Sequence, residues 1–223
     1  MQSTNEVLQM LNDIKNMKFQ SYKELMEQFH LDIPENFNFA YDIFDRIAEE
    51  APDKMALVWC DDNGGEARFT FGQLKEQCDR TASYLVSIGI QKGDPVMLIL
   101  KGRYEFWFCI LALHKIGAIC IPATHLLTEK DIAYRNNAAD IKMIITVNEE
   151  QIIHNVETAE ANSPTMKFKA LVGGCKEGWL DFDDSILNAD PDFARPTGSN
   201  ATKNQDILLL YFTSGTTGQP KMV

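Results

Sequence analysis

No apolar run in this 223-residue chain approaches the length of a membrane span; the longest, residues 106–113, is sized for a buried core helix. Basic residues are scarce. With 21 Lys and Arg against 32 Asp and Glu the net charge is −11, which argues against nucleic acid as a partner, because phosphate-backbone binding depends on accumulated cations. Any polyanionic ligand must therefore be held by local features. Cys60, Cys78, Cys109, Cys120 and Cys175 are odd in number, widely spaced and form no C-x-x-C, so they fit reduced thiols better than a disulfide framework or a zinc site. His30, His114 and His154 share no metal spacing with one another or with the cysteines, and no metal site is expected. The N-terminus lacks a signal peptide's apolar stretch and has no arginine before Arg46, which speaks against a mitochondrial transit peptide; a cytoplasmic location is the expectation.

The 45% hydrophobic content is enough for a core, and its periodicity changes along the chain. Residues 7–29 place Val7, Leu11, Ile14, Leu25, Met26 and Phe29 at helical spacings, closed by Pro34, and residues 41–50 predict a second helix. Strands at 55–59 and 68–70 flank the turn cluster Asp62-Asn63-Gly64-Gly65 and suit a hairpin. Thr70-x-x-Gln73 is a capping-box pattern; it opens a helix carrying Leu74, Cys78, Ala82 and Leu85, with Gly89 as its stop. Strands at 96–100, 119–121, 143–147 and 170–172 then alternate with helices at 104–115, after Thr128, and at 149–161. Residues 190–204, rich in Pro, Ser, Thr, Asn and Gly, read as a surface connection, because an apolar strand at 207–212 resumes the core. This alternation predicts an α/β fold, a largely parallel sheet flanked by helices on both faces.

The most informative residues come last. Behind the strand at 207–212 stand Thr213-Ser214-Gly215-Thr216-Thr217-Gly218-Gln219-Pro220-Lys221. Glycines let backbone N–H groups approach an anion, hydroxyls add donors, and a lysine supplies a compact positive charge. The run reads as an ATP-phosphate grip at the carboxyl end of a parallel strand, where ligands of such sheets bind. It is not a Walker loop, since Pro220 stands where that pattern needs glycine and Met222 where it needs Ser or Thr.

The order Thr-Ser-Gly-Thr-Thr-Gly-x-Pro-Lys resembles the phosphate loop of the adenylate-forming superfamily, which includes AMP-forming acyl-CoA synthetases, luciferases and peptide-synthetase adenylation domains. The likeness extends over about residues 39–223 through Phe69-Thr70-Phe71-Gly72-Gln73-Leu74, Gly89-x-x-Lys92-Gly93-Asp94-Pro95-Val96, Ala112-x-x-Lys115-Ile116-Gly117-Ala118 and Ile121-Pro122-Ala123. Arg103-Tyr104-Glu105-Phe106-Trp107 and the ending Pro220-Lys221-Met222 are most similar to the acetyl- and medium-chain acyl-CoA synthetase branch.

The resemblance implies a ligase that activates a short- or medium-chain carboxylic acid with MgATP, releasing pyrophosphate, and then transfers the acyl group to coenzyme A. Thr213, Ser214, Gly215, Thr216, Thr217, Gly218 and Lys221 would bind the ATP phosphates, with Lys221 the catalytic residue; no permanent cofactor is implied. Residues 1–38 would be a helical leader and 39–223 the N-terminal part of the synthetase domain, cut just after the phosphate loop. The family's acyl pocket, adenine site and C-terminal catalytic lysine lie downstream of that loop, so these 223 residues alone are expected to be inactive. Two other classes stay open: an adenylation domain loading a carrier protein, and a nonenzymatic phosphate-binding module. The remaining conspicuous residues have plainer readings. His125 suits a packed or solvated loop position, Asp181, Asp183 and Asp184 a helix start, and Trp107 with Phe108 the core. Gln151, Ile152 and Ile153 follow the strand at 143–147, where acetyl-CoA synthetases carry basic residues for the coenzyme A nucleotide.

Overall fold

Residues 96–99 are buried on both faces, as a near-continuous apolar run requires, and with Pro95 they form strand β3 (Pro95–Ile99). A computed structural model describes residues 13, 16–30, 33–213 and 218–223. In chain order the elements are α1 (Tyr22–Gln28), a π-helical turn (Ala40–Asp45) running into α2 (Arg46–Glu50), β1 (Met55–Cys60), β2 (Glu66–Thr70), α3 (Phe71–Ser87) and β3 (Pro95–Ile99). Then come α4 (Glu105–Ile116), β4 (Ile119–Pro122), α5 (Glu129–Ala138), β5 (Met143–Val147) and α6 (Glu150–Glu160). The chain continues with β6 (Phe168–Val172), β7 (Leu180–Asp181), α7 (Phe182–Leu187), a 3-10 turn (Gly198–Asn200), β8 (Phe212–Thr213) and β9 (Lys221–Met222).

Five strands pair in the order β4-β3-β5-β6-β7, all parallel. The chain steps from β3 outward to β4, then back across β3 to β5. Right-handed crossovers in opposite directions put their helices on opposite faces. Accordingly α4 packs with α3, which also packs on α7, while α5 packs with α6. The opposed steps make the carboxyl ends of β3 and β5 the topological switch point of the sheet.

Local signals explain most boundaries. Thr70 Oγ1 accepts the Gln73 N–H at 3.3 Å and Gln73 Oε1 accepts the Thr70 N–H at 3.0 Å, closing the capping box at α3. A second box, Thr128 with Asp131, opens α5. Gly117 ends α4 at φ +81°, and a Cβ there would lie 2.7 Å from Thr202 Cγ2, so both backbone and space require glycine. The β1–β2 hairpin forms as its turn chemistry predicts. Asp181 caps α7 by accepting the Asp184 N–H at 3.0 Å, so the acidic cluster is a helix start.

Three expectations change. Much of the helix read over 7–29 lies outside the described residues; of the described part, 17–20 are not helical, and α1 follows, which Ser21 caps and which buries no residue. The helix at 41–50 begins with a π-helical turn, and that turn carries Asp45 inward. Trp107 is 47% exposed while Phe108 is buried, because the helical period turns 105, 108, 109, 112 and 113 toward the core and 107 away from it. The connection at 190–204 runs over the surface but is tied down. Arg195 pairs with Asp42 at 2.6 Å, and buried Thr202 accepts from Asn38 Nδ2 at 2.8 Å.

Candidate functional site

The expected strand at 207–212 is only partly a strand. Cys120 N–H donates to Leu208 O and Leu210 N–H donates to Cys120 O, each at 3.0 Å, so the segment runs parallel to β4 through a single bridge at Leu209. It lies along the sheet's edge and only half joins the core: Ile207 is 57% and Tyr211 47% exposed, while Leu209, Leu210 and Phe212 pack against the core. A strand paired on one side alone leaves its other faces to solvent. The parallel direction brings Thr213 out near the carboxyl end of β4, on the side of the sheet where ligands bind.

Beyond the bridge the chain folds back on itself. β8 and β9 pair antiparallel, with Phe212 opposite Met222 and Thr213 opposite Lys221; Tyr211 and Val223 exchange backbone bonds of 2.8 and 2.9 Å. Two ends of the expected phosphate grip, Thr213 and Lys221, are therefore directly apposed, and the Thr213 hydroxyl donates to Lys221 O at 3.4 Å. Gly218 has φ +112°, a conformation closed to residues with a Cβ. Lys221 is exposed, and among the described residues no carboxylate pairs with its ammonium. Ser214, Gly215, Thr216 and Thr217 lie outside the described residues.

Helix α5 supports this hairpin, and sequence reasoning did not find its contribution. Tyr134 Oη donates to Pro220 O at 2.9 Å, the Tyr134 ring meets Phe212 edge-on at 6.2 Å, and the Arg135 guanidinium lies 5.1 Å from the Phe212 ring centroid. Burial pulls the Arg135 guanidinium below its usual range, against the opposing pull of Asp131. Tyr134 and Pro220 stand 86 positions apart, and no local pattern announces the contact.

A second concavity occupies the switch point, a crevice of about 470 Å³ between the ends of β3, β5 and β6 and the β1–β2 hairpin. Lys101 holds a left-handed backbone at φ +52° and its ammonium reaches Glu149 at 2.6 Å. The Arg103 guanidinium lies 5.4 Å from the Trp59 ring and 5.0 Å from the Tyr104 ring and pairs with Glu105. Asp61, Asp62 and Glu149 line the same crevice, so its cations are balanced by carboxylates and it does not form a basic polyphosphate site. His125 is solvated on the loop after β4.

A doubly wound parallel sheet of this kind defines the class as an α/β protein that binds ligands at the carboxyl ends of its strands, where the Thr213–Lys221 hairpin lies. The family model described as "AMP-binding enzyme" matches residues 44–223, and the chain belongs to that family. It is similar to the mitochondrial acyl-coenzyme A synthetases ACSM5 of Homo sapiens, 36% identical over 198 residues, and ACSM3 of Mus musculus, 34% identical over 212 residues. The two alignments cover 86% and 92% of this chain but only 33% and 36% of those proteins, so the chain spans about a third of its relatives' length. Among solved structures it is similar to the anthranilate CoA ligase AuaEII in complex with anthranoyl-AMP, with TM-score 0.76, 25% identity, and 86% of this chain and 35% of that one covered. An acyl-CoA synthetase from Brucella canis shares the fold, with TM-score 0.75, 23% identity, and 92% of this chain and 38% of that one covered.

These relatives overturn the cytoplasmic expectation, since those named are mitochondrial. The residues behind that expectation discriminate poorly. Free thiols fit a reducing compartment but do not separate one reducing compartment from another.

Proposed function

We propose that this chain is the N-terminal part of a mitochondrial AMP-forming acyl-CoA synthetase, with residues 39–223 belonging to the synthetase domain and 1–38 forming a leader. The observation that carries the proposal is the apposition of Thr213 and Lys221 in a hairpin leaving the carboxyl edge of a parallel sheet, inside the matched family region. In the first half-reaction an oxygen of a short- or medium-chain carboxylate attacks the α-phosphorus of MgATP. The bond to the bridging β-phosphate oxygen breaks, and pyrophosphate leaves. In the second, the thiol of coenzyme A attacks the acyl carbon, loses its proton, and AMP leaves with the former carboxylate oxygen.

This chain's contribution is the grip on the β and γ phosphates through Thr213, Ser214, Gly215, Thr216, Thr217, Gly218 and Lys221. Donors already aimed at developing charge need no reorganisation in the transition state, and one such donor contributes on the order of 3 kcal/mol. Lys221, with no competing carboxylate among the described residues, meets the charge that accumulates on pyrophosphate. The substrates supply both nucleophiles, so no nucleophilic side chain is required. The carrier-protein alternative lacks comparable support, because the relatives are named as acyl-coenzyme A synthetases. Product analysis of the full-length protein with ATP, coenzyme A and short- and medium-chain acids should find AMP, pyrophosphate and an acyl thioester. ADP with orthophosphate would replace acid activation with ATPase or kinase chemistry.

A further inference from the structure

The loop hairpin is short. Each of its strands has two residues, and an isolated hairpin of that size does not hold its shape in water. The three contacts from α5 fall on both strands' sides: Tyr134 Oη on Pro220 O, the Tyr134 ring on Phe212, and the Arg135 guanidinium over Phe212. We infer that Tyr134 and Arg135 are positioning residues for the phosphate grip, clamping the chain on either side of the loop to α5. This inference rests on the reading of the hairpin as a phosphate grip.

The peptide linkage explains why the Tyr134 bond matters more than a contact elsewhere on the hairpin would. Pro220 O belongs to the planar group that also contains the Lys221 nitrogen. Holding that carbonyl at 2.9 Å restrains the peptide plane, and the pairing of Lys221 with Thr213 restrains the backbone beyond it, so that together they limit the direction in which the Lys221 side chain departs. Proline narrows the other side, because its ring locks φ at residue 220. Lys221 is thus aimed from outside the loop, with no demand on the loop's own side chains.

The clamp has a firm base. Ile132 and Asn136, flanking Tyr134 and Arg135 on α5, are fully buried, and Asn136 Nδ2 donates to Ser163 Oγ at 2.8 Å. The Thr128–Asp131 capping box fixes the start of the helix, and Arg135 Nη1 donates to Asp131 O at 3.0 Å, which orients the guanidinium. A displaced side chain at a reacting centre costs rate without costing stability, and this arrangement keeps the lysine in place.

The test compares full-length wild type with Tyr134→Phe, which removes the hydroxyl but keeps the ring against Phe212, and with Arg135→Lys, which keeps charge but loses the planar stack. Hydrogen exchange of the backbone amides in the hairpin should rise several-fold in Tyr134→Phe. Acyl-AMP formation should slow about fivefold, the worth of one net hydrogen bond, while thioester formation from supplied acyl-AMP keeps the wild-type rate. Arg135→Lys should slow the first half-reaction by roughly two- to threefold. Unchanged exchange in Tyr134→Phe, or equal rates in the first half-reaction, overturns the inference, as does equal slowing of both half-reactions. If wild type forms no acyl-AMP with any acid, the proposed function fails instead, and the exchange comparison alone decides whether Tyr134 holds the hairpin.

Discussion

Lys115 Nζ lies 2.5 Å from Asp79 Oδ1, and neither side chain reaches solvent. The same ammonium bonds Asp45 Oδ2 at 2.7 Å and lies 5.1 Å from the Tyr41 ring, while Lys75 meets the other Asp79 oxygen at 2.6 Å. One lysine on α4 therefore joins α3 to the π-helical turn. Burial pushes the Asp45 carboxyl up, against the pull of Lys115. Removing Lys115 leaves buried Asp45 without a counter-charge and Asp79 with Lys75 alone. Lys115→Met should lower the chain's stability by about 3–5 kcal/mol in denaturant unfolding at neutral pH, and replacing Asp45 and Asp79 by Leu in the same chain should restore most of the loss.

His114 gives the fold a pH dependence of known sign. Burial lowers its pKa to about 4 from 6.5, so its imidazole is held neutral in the folded chain. As pH falls below 6.5 the unfolded chain binds a proton that the folded chain refuses. The stability due to His114 is whole above 6.5, declines as pH falls, and levels off below about 4. The full loss is about 3 kcal/mol. Melting curves between pH 7 and 4 should show a smaller decline in His114→Gln than in wild type (roughly, since carboxylates add a shared slope at the acid end).

The thiols divide by environment. Cys60 and Cys175 are exposed, whereas burial pushes the thiols of Cys78 and Cys109 far up and that of Cys120 up to about 12. Since the thiolate is the nucleophile, a thiol-specific reagent should label Cys60 and Cys175 in the folded chain and the other cysteines only after denaturation. Mass spectrometry of labelled peptides reads this directly. Rapid native labelling of Cys109 or Cys120 would contradict the packing of α4 on β4.

What was legible in the sequence is what local chemistry decides. The Thr70–Gln73 box spans three residues, Gly117 ends its helix by its own backbone freedom, and 96–99 read as a doubly covered strand because every residue is apolar. The Thr213 to Lys221 motif made the family legible through the order of its residue types. Contacts made by folding were not. Asp45 and Lys115 stand 70 residues apart, Asp79 and Lys115 36, and Tyr134 and Pro220 86, and no period links such pairs. The segment at 207–212 misled in another way: its apolar residues suit a core strand, but pairing on one side of β4 leaves Ile207 and Tyr211 in solvent.

Lys221 bears the central role in the proposed reaction, and the most direct measurement separates the two half-reactions of the full-length protein by rapid quench in wild type and Lys221→Ala. If Lys221 meets the charge on departing pyrophosphate, acyl-AMP formation should fall by roughly a hundredfold, the worth of one charge-assisted contact. Thioester formation from preformed acyl-AMP does not develop that charge and should keep its rate. Folding should be little changed, because Lys221 is exposed. Lys221→Arg should recover only part of the lost rate, since a planar fork does not replace a compact ammonium in a tight loop. Equal slowing of both half-reactions, or of neither, would contradict the role of this lysine and the reading of its hairpin as a phosphate grip.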